Sequence, residues 1–290
     1  MKIFYLDTSA INRLYDDPNL EELKATIKNK AQVYISVFTV AELASTSDKY
    51  RRTGLLKIAK DITGNYRPAA MPGELLKRSL EAINDFAPDM DNSMGTEWDG
   101  LWIGLNDPTL IDEESYHEII EWKAQQEAWY HQIHERGRPL MQETIKKLPL
   151  EERATLMSSF AKLIRYYRPD RDFLNDFVAN MAYRSGTEIH ITRVLTERII
   201  KHSEHWRFFL AGMAYSMYGR AIRSSSFGRD KNPGSIDTQQ SIYLTLCDVF
   251  VTADRQQYRM LRSITPFGHR KRKIWTYPKF RSWLLGEESL

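Results

Sequence analysis

The sequence predicts an α/β protein whose parallel sheet is formed by both ends of the chain and interrupted by a mostly helical insertion. Near each terminus, short apolar runs stop at polar turns and give way to helical periodicity, the alternation of an α/β layer. The middle of the chain carries helical periodicity without strand-like runs. A chain of 290 residues suffices for one large domain, or for a lobe with a second lobe inserted. Pieces of about sixty residues make poor cores alone. Residues 1–61 and 230–290 are therefore assigned together to one lobe, and residues 62–229 to the insertion.

The elements follow in order. Residues 2–6, Lys-Ile-Phe-Tyr-Leu, read as a buried strand, and Asp7-Thr8-Ser9 as a turn and helix cap before a short helix through Arg13 and Leu14. A helix over about residues 19–29 precedes a strand at Val33-Tyr34-Ile35-Ser36. Thr39 is then expected to cap a helix carrying Glu42 near its first turn. Toward the other terminus, a helix is expected over residues 235–247, with Ile236, Tyr243, Leu246 and Cys247 on its apolar side. Val249-Phe250-Val251-Thr252 reads as a strand ending at Ala253-Asp254, followed by a helix over 255–261. Lys273-Ile274-Trp275-Thr276 reads as an edge strand before a final helix to Leu285. In the insertion, helices are expected over 73–86, 113–135, 151–167, 170–184 and 188–223, with 65–73 and 87–108 as punctuating segments. Trp206, Phe209, Leu210, Met213 and Met217 follow the three-and-four spacing of a packed helix.

Composition narrows the function. A hydrophobic fraction of 42% and a charged fraction of 27% belong to a globular protein and not to a disordered one. No apolar stretch approaches a membrane span and no signal-peptide layout opens the chain, so a cytoplasmic protein with no membrane association is expected. A single cysteine, Cys247, excludes an internal disulfide and a cysteine-clustered metal site, and reads as a buried packing residue. The net charge of +3 tolerates a nucleic-acid partner without requiring one.

Four acids stand at comparable edges. Asp7 and Asp254 sit at the carboxyl ends of expected strands, where ligands of parallel sheets bind. Glu42 and Asp237 sit near the starts of neighbouring helices. One such acid is most simply a helix cap; four at one edge are harder to assign to capping alone. Carboxylates sharing a crevice repel one another unless a cation compensates. Mg²⁺ or Mn²⁺ suits such oxygen ligands and could activate a bound water beside a phosphodiester.

Tyr5-Leu6-Asp7-Thr8-Ser9-Ala10-Ile11, Ser36-Val37-Phe38-Thr39-Val40-Ala41-Glu42-Leu43, and Asp237 followed by Cys247-Asp248-Val249-Phe250-Val251-Thr252-Ala253-Asp254 together resemble the PIN-domain, VapC-like nucleases. The resemblance covers roughly the first and last sixty residues, in the right order. It implies a three-layer PIN-like lobe and a metal-dependent endoribonuclease hydrolysing RNA phosphodiester bonds. Asp7, Glu42, Asp237 and Asp254 would be its catalytic metal ligands, with Mg²⁺ or Mn²⁺ as cofactor. RNA is the expected partner, with DNA as the alternative substrate. Many small members of the family are toxins with an antitoxin-like protein partner; this chain departs from them through its long insertion, which could gate the site, recognise RNA, mediate homo-oligomers or serve as a structural cap.

Around the acids, Thr8, Ser9, Asp248 and Thr252 are candidates to orient them from behind. His131 with His134 is read as a solvent-facing pair, and His202 with His205 shows the same spacing near a helix boundary without an obvious third ligand, so a zinc site is weakly supported. His269-Arg270-Lys271-Arg272-Lys273 could contact backbone phosphates through its four Arg and Lys residues, or form a solvated loop. Two other functions remain open from the residues alone. One is a noncatalytic RNA-binding or protein-interaction module. The other is a phosphatase with Asp7 as nucleophile, a scheme in which Ser9 stands where a second Asp is expected.

Overall fold

In the computed structural model, residues 1–85, 99–151, 171–222 and 234–287 are described. Four short strands, β1 (Lys2–Leu6), β2 (Ala31–Tyr34), β3 (Val249–Thr252) and β4 (Lys273–Thr276), form one parallel sheet in the order β2-β1-β3-β4. Phe4 of β1 lies opposite Val33 of β2 on one side and Val249 of β3 on the other. All four residues of β3 are buried, as a strand covered on both faces requires.

The period-two alternation of each strand divides the interior. Phe4, Leu6, Val33, Val249, Val251 and Trp275 enter one hydrophobic core, while Tyr5 and Phe250 enter a second one. The first core is completed by α1 (Thr8–Tyr15), α2 (Leu20–Lys30), α3 (Val37–Ala44), α4 (Lys49–Thr63) and the last helix of the chain, Tyr277–Leu284. The insertion contributes to both cores. Its helix α5 (Pro72–Asn84) joins the second core, whereas α6 (Asp99–Asn106) and the start of α7 (Glu113–Lys146) place Leu101, Leu105 and Ile119 in the first. Then α8 (Arg171–Arg184), α9 (Arg193–His202) and α10 (Glu204–Ile222) cover the opposite face of the sheet, with Trp206, Phe208 and Phe209 fully buried there. The inserted helices thus supply the second helical layer of the α/β sandwich.

Glycine allows one close approach that matters for the site. A Cβ on Gly212 of α10 would stand 2.9 Å from the backbone oxygen of Thr238, so only glycine lets α10 lie against the short helix α11 (Ser235–Gln239).

Several boundaries differ from expectation. The helix expected over 235–247 is α-helical only to Gln239 and continues as a 3₁₀ helix over Gln240–Leu246. The stretch expected to be helical over 188–223 is irregular to Thr192 and broken at Ser203, where α9 ends and α10 begins. The punctuating segment 87–108 contains α6, which carries Gly100 and Gly104 within the helix. A Cβ on Gly104 would meet Ile111 Cγ1 at 2.8 Å, so that glycine serves packing and not flexibility. Ser36, not Thr39, caps α3, accepting from Thr39 N at 3.2 Å. The helix expected over 151–167 falls, beyond its first residue, outside the described residues. The boundary expected at residue 61 lies in the last turn of α4. After β3, α12 (Arg255–Ile264) runs three residues beyond expectation, and the closing helix is α13 (Tyr277–Leu284).

Trp206 anchors the second layer: its ring is fully buried and its Nε1 donates to Leu76 O at 3.0 Å. Replacing it by alanine leaves a cavity and removes the bond that ties α10 to α5. Trp206→Ala should lower the unfolding free energy by roughly 3–5 kcal/mol. Chemical denaturation measures this, and a loss below about 1 kcal/mol would contradict the anchoring role.

Candidate active site

Asp7 follows β1 and Asp254 follows β3, and these adjacent parallel strands connect onward in different directions across the sheet. That is the topological switch point where the crevice of an open parallel sheet lies. Each acid is held there by local capping. Asp7 is the N-cap of α1, its Oδ1 accepting from Ala10 N at 2.7 Å. Asp254 is the N-cap of α12, its Oδ1 accepting from Gln256 N at 2.7 Å and Gln257 N at 2.6 Å. Asp237, in the first turn of α11, accepts from Gly234 N through Oδ2 at 3.2 Å.

Two hydroxyls knit the strand ends together. Ser9 Oγ donates to the Asp7 carboxylate at 2.9 Å and accepts from Ala253 N at 2.7 Å and Asp254 N at 3.0 Å. Thr252 Oγ1, fully buried, donates to Asp7 Oδ2 at 2.7 Å and accepts from Asp254 N at 2.9 Å. Thr8 Oγ1 donates to Glu42 Oε2 at 2.6 Å. These three expected supporting residues do touch the acids. Asp248 does not: it is exposed at the start of β3, where its Oδ2 accepts from Ile3 N at 3.0 Å, so it braces the opposite edge of the sheet.

Two buried glutamines extend the network. Gln240 Nε2 donates to Glu42 Oε2 at 3.3 Å, and Gln257 Nε2 donates to Gln240 Oε1 at 2.9 Å. Because a carboxylate only accepts, it sets the orientation of both amides. Gln257 Oε1 is consequently left buried without a partner among the described residues. Sequence reasoning missed this pair, although a signal existed. Gln240 stands three residues after Asp237 and Gln257 three after Asp254, the spacing that puts two side chains on one helical face.

The acids sense one another. Burial pushes Asp7, only 2% exposed, up to about 7; bonds from Thr252, Ala10 and Ser9 oppose the shift, and the Glu42 charge adds to it. Asp237 is raised well above the usual carboxylate range by burial and then by the charges of Glu42, Asp254 and Asp7. Glu42 is raised by burial, eased by the Thr8 bond and the Lys123 ammonium, and raised again by Glu127. The four expected acids therefore share one electrostatic environment. Lys123 and Glu127, both on α7, join it from a helix that no local pattern connects to the site. Among the described residues, no group of three or more His, Cys, Asp or Glu side chains is arranged to hold a metal ion. The acids are neighbours without forming a ready ligand sphere.

Other candidates fall elsewhere. The basic run precedes β4 at the amino edge of the sheet, where Lys273 pairs with Val249. The four residues of β3, at about 3.3 Å each, put roughly 13 Å between that edge and the acids. Arg272 is further committed to Glu204, with Nη2 to Oε2 at 2.5 Å and only 4% of its side chain exposed. His131 and His202 are exposed, but His134 and His205 are buried, so neither histidine pair faces solvent as a pair. Cys247 is buried, and burial pushes its thiol up to about 12, away from nucleophilic use. Among the described residues, no helix is long and apolar enough to cross a membrane. No protein-family model, no curated protein and no solved structure matches the chain.

The raised acids set a pH dependence. An unfolded Asp7 ionises near its ordinary 3.8, whereas the folded one holds its proton to about 7. Its contribution to stability is therefore present below pH 4 and lost as pH rises to 7. Glu42 and Asp237 act in the same direction. In the presence of a chelator, native stability should fall across this window. Asp7→Asn should fall less steeply, the two curves converging by up to about 4 kcal/mol. An equal stability difference between native protein and Asp7→Asn at pH 4 and pH 8, measured by denaturant titration, would remove Asp7 as the titrating group.

Proposed function

We propose that this protein is a divalent-metal-dependent endoribonuclease that hydrolyses RNA phosphodiester bonds at the crevice between β1 and β3. One observation carries the proposal. Glu42, Asp237 and Asp254 each have one carboxylate oxygen held by hydrogen bonds, while Glu42 Oε1, Asp237 Oδ1 and Asp254 Oδ2 accept none among the described residues. Three anchored carboxylates with open oxygens beside a fourth make a hard-oxygen donor set, which fits Mg²⁺ or Mn²⁺ by its chemistry. The ordered likeness of these segments to PIN-domain nucleases supports the same assignment, and a cytoplasmic location accords with it.

A divalent ion bound there would lower the pKa of a coordinated water and neutralise a phosphate oxygen. The chain's own residues have distinct tasks. Thr8 and Gln240 hold Glu42 Oε2 so that Oε1 remains available, and the α12 amides do the same for Asp254. Ser9 and Thr252 keep the Asp7 carboxylate aligned between the two strands. Positive charge in the crevice would draw Asp7 and Asp237 back to their ionised forms. Water would then attack phosphorus in line, giving up a proton to solvent, while the bond to the departing sugar oxygen breaks with its electron pair and that oxygen takes a proton from solvent. No enzyme-bound phosphoryl group forms. The phosphatase scheme is disfavoured because both oxygens of Asp7 accept hydrogen bonds, which blunts it as a nucleophile.

The test compares the native protein with Glu42→Gln and Asp254→Asn on single-stranded RNA, with Mg²⁺ or Mn²⁺. Each substitution should reduce cleavage on the order of 10²-fold or more. Mn²⁺ should also raise the Tm of the native protein and raise that of either variant less. Cleavage of equal rate in the variants would remove the site. Intact RNA recovered from a tight complex under every metal condition would favour a noncatalytic RNA-binding module instead.

A further inference from the structure

The proposed crevice must admit a substrate of its own sign. Asp7, Glu42, Asp237 and Asp254 gather there, and Glu127 adds a carboxylate that accepts from Ser235 N at 3.2 Å. An RNA backbone approaching these acids meets repulsion that the metal alone must offset, unless the protein supplies another cation. The run at Arg270–Lys273 lies at the opposite edge of the sheet.

The inserted helix α7 lies across both elements that carry the helical acids. Its Trp122 ring stands 5.4 Å from Phe38 of α3. Gln126 O accepts from Ser235 Oγ at 3.1 Å, and the Tyr130 hydroxyl meets Thr238 Oγ1 of α11 at 2.9 Å. Residues 122, 126 and 130 recur at helical spacing, so a single face of α7 makes these contacts. Lys123 borders that face. Its Nζ donates to Ser45 Oγ at 3.4 Å, a long bond, and Ser45 Oγ donates to Glu42 O at 2.8 Å. Among the described residues Lys123 makes no ion pair, although Glu127 lies one helical turn along. Its ammonium keeps two donors uncommitted beside the Glu42 end of the crevice.

We propose that Lys123 is the phosphate-binding cation of this site, brought to it by the inserted helix and taking a nonbridging oxygen of the RNA backbone. The proposal rests on the nuclease assignment above and adds the residue that receives the substrate. A different role is available to the same side chain. Ser45 is the C-cap of α3, and a cation there can simply complement the helix terminus. The two roles separate in kinetics: a terminus brace alters stability, whereas a phosphate ligand alters substrate affinity and its salt dependence.

The experiment uses the full chain with Mn²⁺ and a short fluorescein-labelled single-stranded RNA, measuring kcat, KM and Tm for native protein, Lys123→Gln, Lys123→Arg and Lys147→Gln over a range of salt. Lys147 is the exposed C-cap at the far end of the same helix, and controls for the loss of one charge. Lys123→Gln should raise KM about tenfold with a smaller change in kcat, and reduce the salt slope of log(1/KM) by about 0.7. Lys123→Arg should restore most of the affinity, and Lys147→Gln should behave as native. Native KM and salt slope in Lys123→Gln, alongside normal cleavage, would overturn the role of Lys123 and leave the nuclease assignment standing. A lowered Tm with unchanged KM would assign Lys123 to the helix terminus and overturn the role equally. Failure of the native protein to cleave RNA would overturn the nuclease assignment, and this proposal with it.

Discussion

The Asp7 carboxylate is the joint on which the site depends. It is buried where β1 ends, and a carboxylate in that position is tolerated only when its oxygens are occupied. Ser9, Ala10 and Thr252 occupy them, and Thr252 comes from a residue 245 positions further along the chain. The same two hydroxyls accept the backbone amide of Asp254. The exits of β1 and β3 are thereby tied into one unit, and the starts of α1 and α12 are set together. Loss of that unit would leave a buried charge and two unsatisfied hydroxyls, a far larger cost than the small net gain of an ordinary hydrogen bond.

From that joint, order passes outward through a chain of polar groups. The amides opening α12 hold Asp254, Gln257 reaches from α12 to Gln240, and Gln240 reaches to Glu42, which Thr8 holds from the other side. Each link has only one workable polarity, because it begins at an acceptor that cannot donate. The unpartnered Gln257 Oε1 is the cost of that polarity. The result is that Glu42, Asp237 and Asp254 are each held by one oxygen while the other accepts no hydrogen bond among the described residues, beside an Asp7 held by both. Such a pattern differs from simple capping, in which each acid would serve its own helix and ignore its neighbours. Here the charges of Glu42, Asp254 and Asp7 all raise the proton affinity of Asp237.

The inserted helices complete this arrangement, and their part in it was the least legible. Asp7 and Asp254 could be found because a strand end and a helix cap are both local events, written in adjacent residues. Thr8, Ser9 and Thr252 were legible for the same reason. Asp248 was placed with them by proximity in sequence, but a strand carries its two ends to opposite edges of the sheet. The basic run enters β4 while the acids leave β1 and β3, which sets the two at opposite edges of the sheet. The burial of His134 was not legible because spacing reports a shared helical face without reporting what covers it. Lys123 and Glu127 carried no signal at all, being two charges on a long polar helix.

The sequence by itself determined that four strands form and in which segments, most of the helices, most of the caps and the division into terminal α/β segments around helical ones, because these rest on side-chain periodicity and on hydrogen bonds between near neighbours. It also determined which acids stand at strand exits. Only the tertiary structure decided that β3 pairs with β1 and not with β2, which puts Thr252 on Asp7 and makes the crevice. It alone decided that α7 crosses α3 and α11, bringing Lys123 and Glu127 to the acids. The physical reason is distance along the chain: contacts between segments so far apart are chosen by which apolar faces can be buried together, and no local pattern records that choice.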